Sequence, residues 1–371
     1  DRFDIVVGGS SDGSIKYLMN RGTTTNPHFV EGNLNVDKAG RTHATPSIVD
    51  INGDTYLDLV IGWSGGTLYY YKNTGKIIGD NFPCVPGLEL QSSSNNPFNG
   101  INVTKDSNPA FVDIDDDMDY DLILGNANGT LTYYENVGTS TNASFVRREG
   151  KGNSVFFGII QEEGNSAPTF VDLDNDNDMD LVVGNKVGDP FLRYYENTGN
   201  KGYPTFTERT EKDLDPFDSM KTGPYRPGTY ITPAFADLNG DSYPDCFFGS
   251  STRQIFYYEN IGAVQKATYT PFVGLNLNPV YNVDLGNSMY AAPMIFDQQG
   301  QGDNDYSFFF MGDNDGDSKM VAYAYNFSAT KHFISKYFFN GFAPKNAQGG
   351  GMHVIPTVTD LNGRGFASDI V

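Results

Sequence analysis

The feature that most constrains the fold of this chain is a repeated segment. Each copy has a proline, a short apolar run, an acidic loop and a second apolar run that ends in glycine. The best-formed copy reads PAFVDIDDDMDYDLILG and covers residues 109–125. Successive copies begin 59 to 65 residues apart, a period typical of proteins that stack one supersecondary unit many times. The copies begin at Pro46, Pro109, Pro168, Pro233, Pro293 and Pro356.

A second motif, a tyrosine pair followed by a turn, comes after the acidic segment in the first four copies. The two motifs together predict four short strands in each unit, because turn signals separate the apolar and aromatic runs. One such unit cannot bury both of its faces alone, so stacking several sheets around an axis is the expected solution. We therefore predict an all-β fold, a β-propeller of four-stranded antiparallel blades. The second motif reads LYYYKNTG at 68–75, LTYYENVG at 131–138, LRYYENTG at 192–199 and IFYYENIG at 255–262.

The two ends of the chain carry complementary parts of one unit. Residues 356–371 have the start of the repeat without its tail, and residues 1–45 have the tail without the start. We predict that the terminal strands share this blade and close the ring, so that residues 1–371 form a single propeller domain. Six blades are favoured. Seven are the alternative, because the sequence DIV occurs twice, at 4–6 and at 369–371.

Composition excludes several other classes of protein. A formal net charge of -21 leaves no basic face for nucleic-acid phosphates. The 42 glycines and 19 prolines argue against long helices, and no apolar run approaches the roughly 20 residues that a membrane-spanning helix needs. Cys84 and Cys246 lie in different parts of the repeat, so we expect two free thiols, with a disulfide as the alternative.

The acidic loop of the first four copies has nine residues, and oxygen-bearing side chains alternate along it. Positions one, three, five and nine are Asp or Asn in every copy, a pattern that suits Ca²⁺, which takes about six to eight oxygen ligands. Position seven would contribute its backbone carbonyl, and Gly53 and Gly240 permit a sharp turn. The predicted ligand residues are Asp50, Asn52, Asp54, Tyr56 and Asp58 in loop 1, Asp113, Asp115, Asp117, Asp119 and Asp121 in loop 2, Asp172, Asp174, Asp176, Asp178 and Asp180 in loop 3, and Asp237, Asn239, Asp241, Tyr243 and Asp245 in loop 4.

A solvated acidic turn is the alternative interpretation of these loops, because Asp, Asn and Gly favour turns in any case. Four copies in phase with the predicted strands favour calcium, since carboxylates held within a few ångströms repel one another unless a cation lies among them. The fifth and sixth copies have lost the pattern, with Gln299 and Gln301 in one and Arg364 in the other. We therefore expect about four Ca²⁺ ions.

The acidic loops, with the runs DLVVG and YYENTG that follow them, resemble the FG-GAP/VCBS repeats. Integrin α-subunit propellers and many secreted microbial and protist surface proteins carry these repeats. The resemblance covers nearly the whole chain and implies calcium-binding loops in a propeller that is usually seven-bladed. It also implies adhesion, ligand or glycan binding, or extracellular architecture, but the motif determines the fold far better than the partner.

From these features we expect a non-enzymatic binding or scaffold module, secreted or at the cell surface after removal of a signal peptide. It would bind protein or glycan through the loops between its strands. A soluble lectin with sugar sites between blades is one alternative, and a propeller polysaccharide lyase or hydrolase is a weaker one. The four histidines lie in different parts of the repeat and show neither nucleophile nor zinc spacing.

Two further sets of residues are candidates for surface roles. The tyrosine pairs are assigned to packing between blades, whereas aromatic residues of the linkers are expected to be exposed and available for binding. These linker residues are Phe98, Phe217, Tyr225, Tyr230 and Tyr281. The N-x-S/T sequons that could carry glycans are Asn102, Asn128, Asn142 and Asn326, and Asn128 lies in a predicted exposed hairpin.

Overall fold

The structure is a computed structural model. It describes residues 4–8, 13, 15–20, 29–32, 34–37, 40–78, 85–92, 94–150, 154–156, 166–184, 192–200, 202–211, 214–222, 229, 231–236, 241, 243–250, 255–262, 266–271, 292–297, 306–312, 320–326, 332–339 and 356–359. Within these residues there is one short helix, α1 (Asp218–Thr222). The strands are β1 (Asp4–Gly8), β2 (Ile15–Asn20), β3 (Phe29–Gly32), β4 (Thr45–Val49), β5 (Asp58–Gly62), β6 (Leu68–Ile78), β7 (Val85–Leu90), β8 (Asn108–Val112), β9 (Asp121–Gly125), β10 (Leu131–Asn136), β11 (Phe145–Arg148), β12 (Ala167–Val171), β13 (Asp180–Gly184), β14 (Leu192–Asn197), β15 (Phe206–Glu208), β16 (Thr232–Ala236), β17 (Asp245–Gly249), β18 (Ile255–Asn260), β19 (Tyr269–Pro271), β20 (Ala292–Asp297), β21 (Tyr306–Gly312), β22 (Met320–Asn326), β23 (His332–Phe339) and β24 (Pro356–Thr359).

These strands pair into four-stranded antiparallel sheets. Five sheets take four consecutive strands each, from β4–β7 to β20–β23. The remaining sheet has the order β24-β1-β2-β3, with Pro356 opposite Val7 and Thr359 opposite Asp4. Strands from the two ends of the chain therefore share one sheet, as the split repeat predicts.

The sheets belong to two compact units. Unit 1 comprises Asp1–Glu162 with Val354–Ile370 and contains the sheets β24-β1-β2-β3, β4–β7 and β8–β11. In it, β24 contacts β4 and β4 contacts β8. Unit 2 comprises Glu163–His353 and contains the sheets β12–β15, β16–β19 and β20–β23, in which β12 contacts β16 and β16 contacts β20. Within each unit, neighbouring sheets thus pack through their first strands, as blades of a propeller do.

The prediction of an all-β propeller with four-stranded antiparallel blades is confirmed. Four blades, β4–β7, β8–β11, β12–β15 and β16–β19, are described with most of their side chains. Closure of the sheets into one ring of six or seven blades, and the single domain over residues 1–371, stay predictions. The second copy of DIV, at 369–371, lies outside the described residues.

The second strand of each of these four blades forms its centre. Every residue of β5, β9, β13 and β17 is buried, as expected for a strand that is covered on both faces. The glycine that ends the strand has a packing role. A Cβ on Gly62 would overlap the carbonyl oxygen of Ser107, and one on Gly184 would overlap that of Ile231. The backbone that leads into the next blade therefore passes too close for any other residue.

The prediction that linker aromatics are exposed is wrong for the two that the structure describes. Phe98 is 1% exposed and stacks on Phe145 with ring centroids 5.0 Å apart. Phe217 is fully buried and stacks on Tyr269 at 5.2 Å. Each linker returns an aromatic ring to the apolar core between two sheets because burial of such a ring stabilises the fold. Tyr225, Tyr230 and Tyr281 lie outside the described residues.

Two smaller points complete the fold. Cys246 is a free, fully buried thiol in β17, whereas Cys84 lies outside the described residues. The part of the chain that the structure describes contains no helix long and apolar enough to cross a bilayer.

Candidate metal centres

Each acidic loop joins the first and second strands of a blade, and one apolar residue anchors it. This residue, at position two, is Ile51 in loop 1, Ile114 in loop 2 and Leu173 in loop 3, and all three are buried. Because the side chain at position two points into the core, those at positions one and three are directed away from it. Alternation of apolar and acidic residues therefore places the acids together outside the core.

The backbone of the loop folds around the carboxylate at position one. In loop 2, Asp113 Oδ1 accepts a hydrogen bond from the Asp117 amide at 3.2 Å, and its Oδ2 accepts one from the Met118 amide at 3.0 Å. Loops 1 and 3 repeat this pair of bonds from Asp50 and Asp172. The bonds curl the loop back on itself, which brings its odd-numbered side chains together.

Positions four and six of the loop adopt left-handed backbone conformations. At position four, Gly53 has φ of 66°, and Asp116 and Asn175 adopt almost the same angle, 59° and 60°. The sharp turn predicted for Gly53 is thus confirmed, and short polar residues replace glycine in loops 2 and 3. Gly240 lies outside the described residues.

The curled backbone brings the carboxylates of positions one, three and five together in loops 2 and 3. Asp113, Asp115 and Asp117 each offer an oxygen atom, and all three oxygens lie within 4.8 Å of one another. The same holds for Asp172, Asp174 and Asp176 in loop 3.

Position seven places one further buried carboxylate oxygen beside each of these clusters. Asp119 is 5% exposed, and its Oδ1 is buried without a hydrogen-bond partner. In loop 3, Oδ1 of Asp174 and Oδ1 of Asp178 are also buried without one. Leaving a buried carboxylate oxygen without a donor is costly. In loops 2 and 3, Ca²⁺ would supply the missing partner, and the oxygen-only donor set is the one that this ion prefers.

The electrostatics of both clusters favour an added positive charge. Burial and, after it, the neighbouring carboxylates of Asp117, Asp115 and Asp113 together raise the pKa of Asp119 to about 6. The pKa of Asp178 is raised to about 7 by burial and by Asp176. In each loop the carboxyl groups therefore lie so close together that they ionise less readily when no cation is bound.

Position nine has a different role from the rest of the loop. Asp121 is 1% exposed; its Oδ1 accepts a bond from the Asn136 amide at 2.7 Å, and its Oδ2 accepts one from the Tyr133 hydroxyl at 3.0 Å. Asp58, Asp180 and Asp245 make the same two bonds in their own blades. This carboxylate therefore ties the end of the loop to the third strand, and a ligand role for it stays a prediction.

The same hydrogen bonds explain the second motif. The described tyrosine pairs are buried, in agreement with the packing assignment, but the first tyrosine of each pair also binds the aspartate at position nine. The asparagine that follows organises the next hairpin, since Oδ1 of Asn136 accepts bonds from the amides of Gly138 and Ser144. The spacing from this aspartate to the tyrosine, 12 residues in three blades and 14 from Asp180 to Tyr194, was the signal in the sequence.

Loops 1 and 4 differ from this pattern. In loop 1, Asn52 and Asp54 are contacted by Lys72, and Tyr56 at position seven is 40% exposed. In loop 4, Asp237 and Asn239 lie outside the described residues. Its later part keeps one bond that all four loops share, because the Tyr243 amide donates to Asp241 Oδ1 at 2.9 Å, as the amide at position seven does to position five in loops 1, 2 and 3.

The sequons lie at the surface where their side chains are described. Asn102, Asn128 and Asn142 are exposed, and Asn326 is the last residue of β22. Asn128 lies in the turn between β9 and β10, and Asn142 in the hairpin between β10 and β11. Glycosylation at any of them stays a prediction.

Comparison with known families bears on the repeat itself. The family model of the FG-GAP-like repeat matches residues 172–248, from the start of loop 3 into β17. The bonds made by its position-nine aspartates recur in the two preceding blades. The match to the FG-GAP-like repeat and the four-stranded antiparallel sheets together support an FG-GAP/VCBS-repeat propeller.

Curated sequences and solved structures give two further comparisons for this chain. No curated protein matches its sequence. Among solved structures, it is similar to a chain of the Photorhabdus luminescens Tc holotoxin pore, with 14% identity and a TM-score of 0.40. That match covers 92% of this chain but only 14% of the toxin chain.

Proposed function

We propose that this protein is a non-enzymatic binding or scaffold module that acts outside the cell and is stabilised by Ca²⁺ in its acidic loops. The observation that carries the proposal is the pair of aspartate clusters in loops 2 and 3, each with a buried carboxylate oxygen that lacks a hydrogen-bond donor. The match of residues 172–248 to the FG-GAP-like repeat supports it, because repeats of this type typically occur in extracellular proteins and often bind calcium.

In loop 2, Asp113, Asp115, Asp117 and Asp119 would hold the ion; in loop 3 the corresponding aspartates would do so. Bound Ca²⁺ would supply positive charge to carboxylates that otherwise repel one another. These side chains lie between the first strand of a blade and the second, whose first residue is the buried aspartate of position nine. Holding the loop closed would therefore keep that aspartate in place for its bonds to the third strand.

A rigid blade end suits a binding role. The acidic loop and the hairpin between the third and fourth strands lie at the same end of a blade, because successive strands run antiparallel. Large apolar side chains are exposed at this end: Met118 is 82% exposed in loop 2, and Tyr203 is 81% exposed in the β14–β15 hairpin. Exposed apolar side chains on a fixed scaffold are suited to contact a protein or glycan partner.

Calcium titration of the metal-free protein by isothermal calorimetry tests the proposal. We expect binding at several sites, and we expect the double variant Asp115→Asn with Asp174→Asn to lose most of it. Asp116→Asn is the matched control, because Asp116 is an exposed acid of loop 2 that lies outside the cluster. No heat of binding and no metal in the natively purified protein would refute the calcium role.

Immobilised protein offered to a glycan array and to extracellular-matrix proteins tests the binding role. We expect a partner whose binding is weakened by Met118→Ser or Tyr203→Ser. Release of products from polysaccharides would instead show that the protein is an enzyme.

A further inference from the structure

One residue distinguishes the first blade from the other three that carry acidic loops. The residue after the tyrosine pair of the third strand is Lys72 in β6, whereas it is Glu135 in β10, Glu196 in β14 and Glu259 in β18. The charge at this position is therefore reversed in the first blade alone among these four.

The ammonium group of Lys72 lies among the side chains of loop 1. Its Nζ donates to Asn52 Oδ1 at 3.1 Å and lies 3.0 Å from Asp54 Oδ2. These are positions three and five, whose counterparts in loops 2 and 3 belong to the aspartate clusters. The Asn52 amide also donates to Asp58 Oδ2 at 2.6 Å, which leaves its carbonyl oxygen to the lysine.

The glutamates at the equivalent position have the opposite charge and affect the loop aspartates accordingly. Glu135 is among the charges that raise the pKa of Asp115, and Glu196 does the same to Asp174, after burial and the nearer aspartates. Glu135 and Glu196 are each also held by two hydrogen bonds from an arginine, which is Arg148 at the end of β11 and Arg209 directly after β15. Arg148 binds Glu135 at 2.7 and 2.9 Å. The third strand thus places an arginine-paired carboxylate beside loops 2 and 3, whereas it places an ammonium group in loop 1.

We propose that the Lys72 ammonium takes the place of the divalent cation in loop 1, so that this loop is closed by a side chain while loops 2, 3 and 4 bind Ca²⁺. The inference rests on the proposed calcium role. It reduces the predicted number of ions by one, because a cation within hydrogen-bond distance of two loop oxygens repels Ca²⁺ and blocks those ligands.

Loop 4 is a natural control for loop 1. Loop 1 reads DINGDTYLD and loop 4 reads DLNGDSYPD, so positions one, three, four, five, seven and nine are identical. The two blades differ at the residue that follows the tyrosine pair of the third strand, which is Lys72 in β6 and Glu259 in β18. Exchanging these two residues therefore tests their effect on calcium binding by loops that have the same oxygen-bearing residues at positions one, three, five and nine.

A reciprocal exchange tests the inference, with bound calcium measured by metal analysis and by calorimetry. We expect Lys72→Glu to bind one more Ca²⁺ ion per chain than the wild type, and Glu259→Lys to bind one fewer. Lys76→Glu, an exposed change on the same strand, is expected to leave the number unchanged. If Lys72→Glu does not fold, the Glu259→Lys variant still measures the exchange in the other direction.

A stability measurement separates this inference from the proposed calcium role. In EDTA, Lys72→Met is expected to melt at a lower temperature than both the wild type and Lys76→Met, because loop 1 then has no cation. Unchanged calcium numbers in both exchanges, or equal melting of the two Met variants, would overturn the inference. A wild type that binds no calcium would overturn the proposed calcium role, and the EDTA melts would still decide whether Lys72 serves as the cation of loop 1.

Discussion

Removal of one hydroxyl group should weaken the second blade by a measurable and pH-dependent amount. In Tyr133→Phe the buried carboxylate of Asp121 loses the donor at 3.0 Å and keeps only the Asn136 amide at 2.7 Å. A hydrogen bond to a charged group contributes about 1.5–3 kcal/mol to stability, and one between neutral groups about 0.5–1.5 kcal/mol. Burial raises the pKa of Asp121 to about 7. The loss should therefore be about 2 kcal/mol at pH 8.5, where Asp121 is ionised, and about 1 kcal/mol at pH 5, where it is protonated.

Urea unfolding in EDTA, followed by tryptophan fluorescence, measures this loss. The chain has one tryptophan, Trp63, which is fully buried in the same unit as Tyr133 and reports the unfolding of that unit. Tyr134→Phe is the matched control, because Tyr134 is equally buried, and among the described residues its hydroxyl makes no bond to an aspartate of loop 2. Equal losses in the two variants, or a Tyr133→Phe loss that is the same at both pH values, would refute the assigned role of the tyrosine–aspartate bond.

Three further results are expected. Calorimetric melting should show a lower midpoint in EDTA than in millimolar Ca²⁺, and at saturation near 100 times the dissociation constant each site would contribute about 2.7 kcal/mol; identical melts would contradict the calcium role. Without calcium, stability should fall as pH rises from 5 to 8, because the raised pKa values of Asp178, about 7, and Asp180, about 8, mean that the folded state binds protons more tightly than the unfolded state; a rise with pH would contradict this sign. Gly62→Ala should destabilise the protein far more than Gly65→Ala in urea unfolding, since a Cβ on Gly62 overlaps Ser107 while nothing lies within 4 Å of one on Gly65.

The sequence predicted those parts of the fold that depend on the pattern of apolar and polar residues along a short segment. Runs such as DLVIG and DLILG are short, apolar and bounded by turns, and each is a strand buried throughout. The clustering of Asp113, Asp115 and Asp117 could also be predicted, because alternate residues of a tight loop point to one side.

Roles that depend on pairing between strands were missed. The tyrosine pairs were predicted to be buried, yet the bond from Tyr70 to Asp58 follows only when the register of β5 and β6 is known. Lys72 could be seen as an exception to the glutamates at its position, but its contact with Asn52 requires the same register. Phe98 was assigned to the surface because a linker sequence does not reveal that its aromatic ring returns to the core.

The sequence by itself determined the repeat, the four-stranded unit and the oxygen-rich loops, since these depend on residues that are neighbours along the chain. Only the tertiary structure decided which carboxylates are left without a donor, which aspartate is bound by a tyrosine, and which loop already contains a cation. Each of these depends on atoms from strands that are distant in sequence and meet only when the sheet forms. Their burial in the sheet then sets the strength of every charge interaction among them.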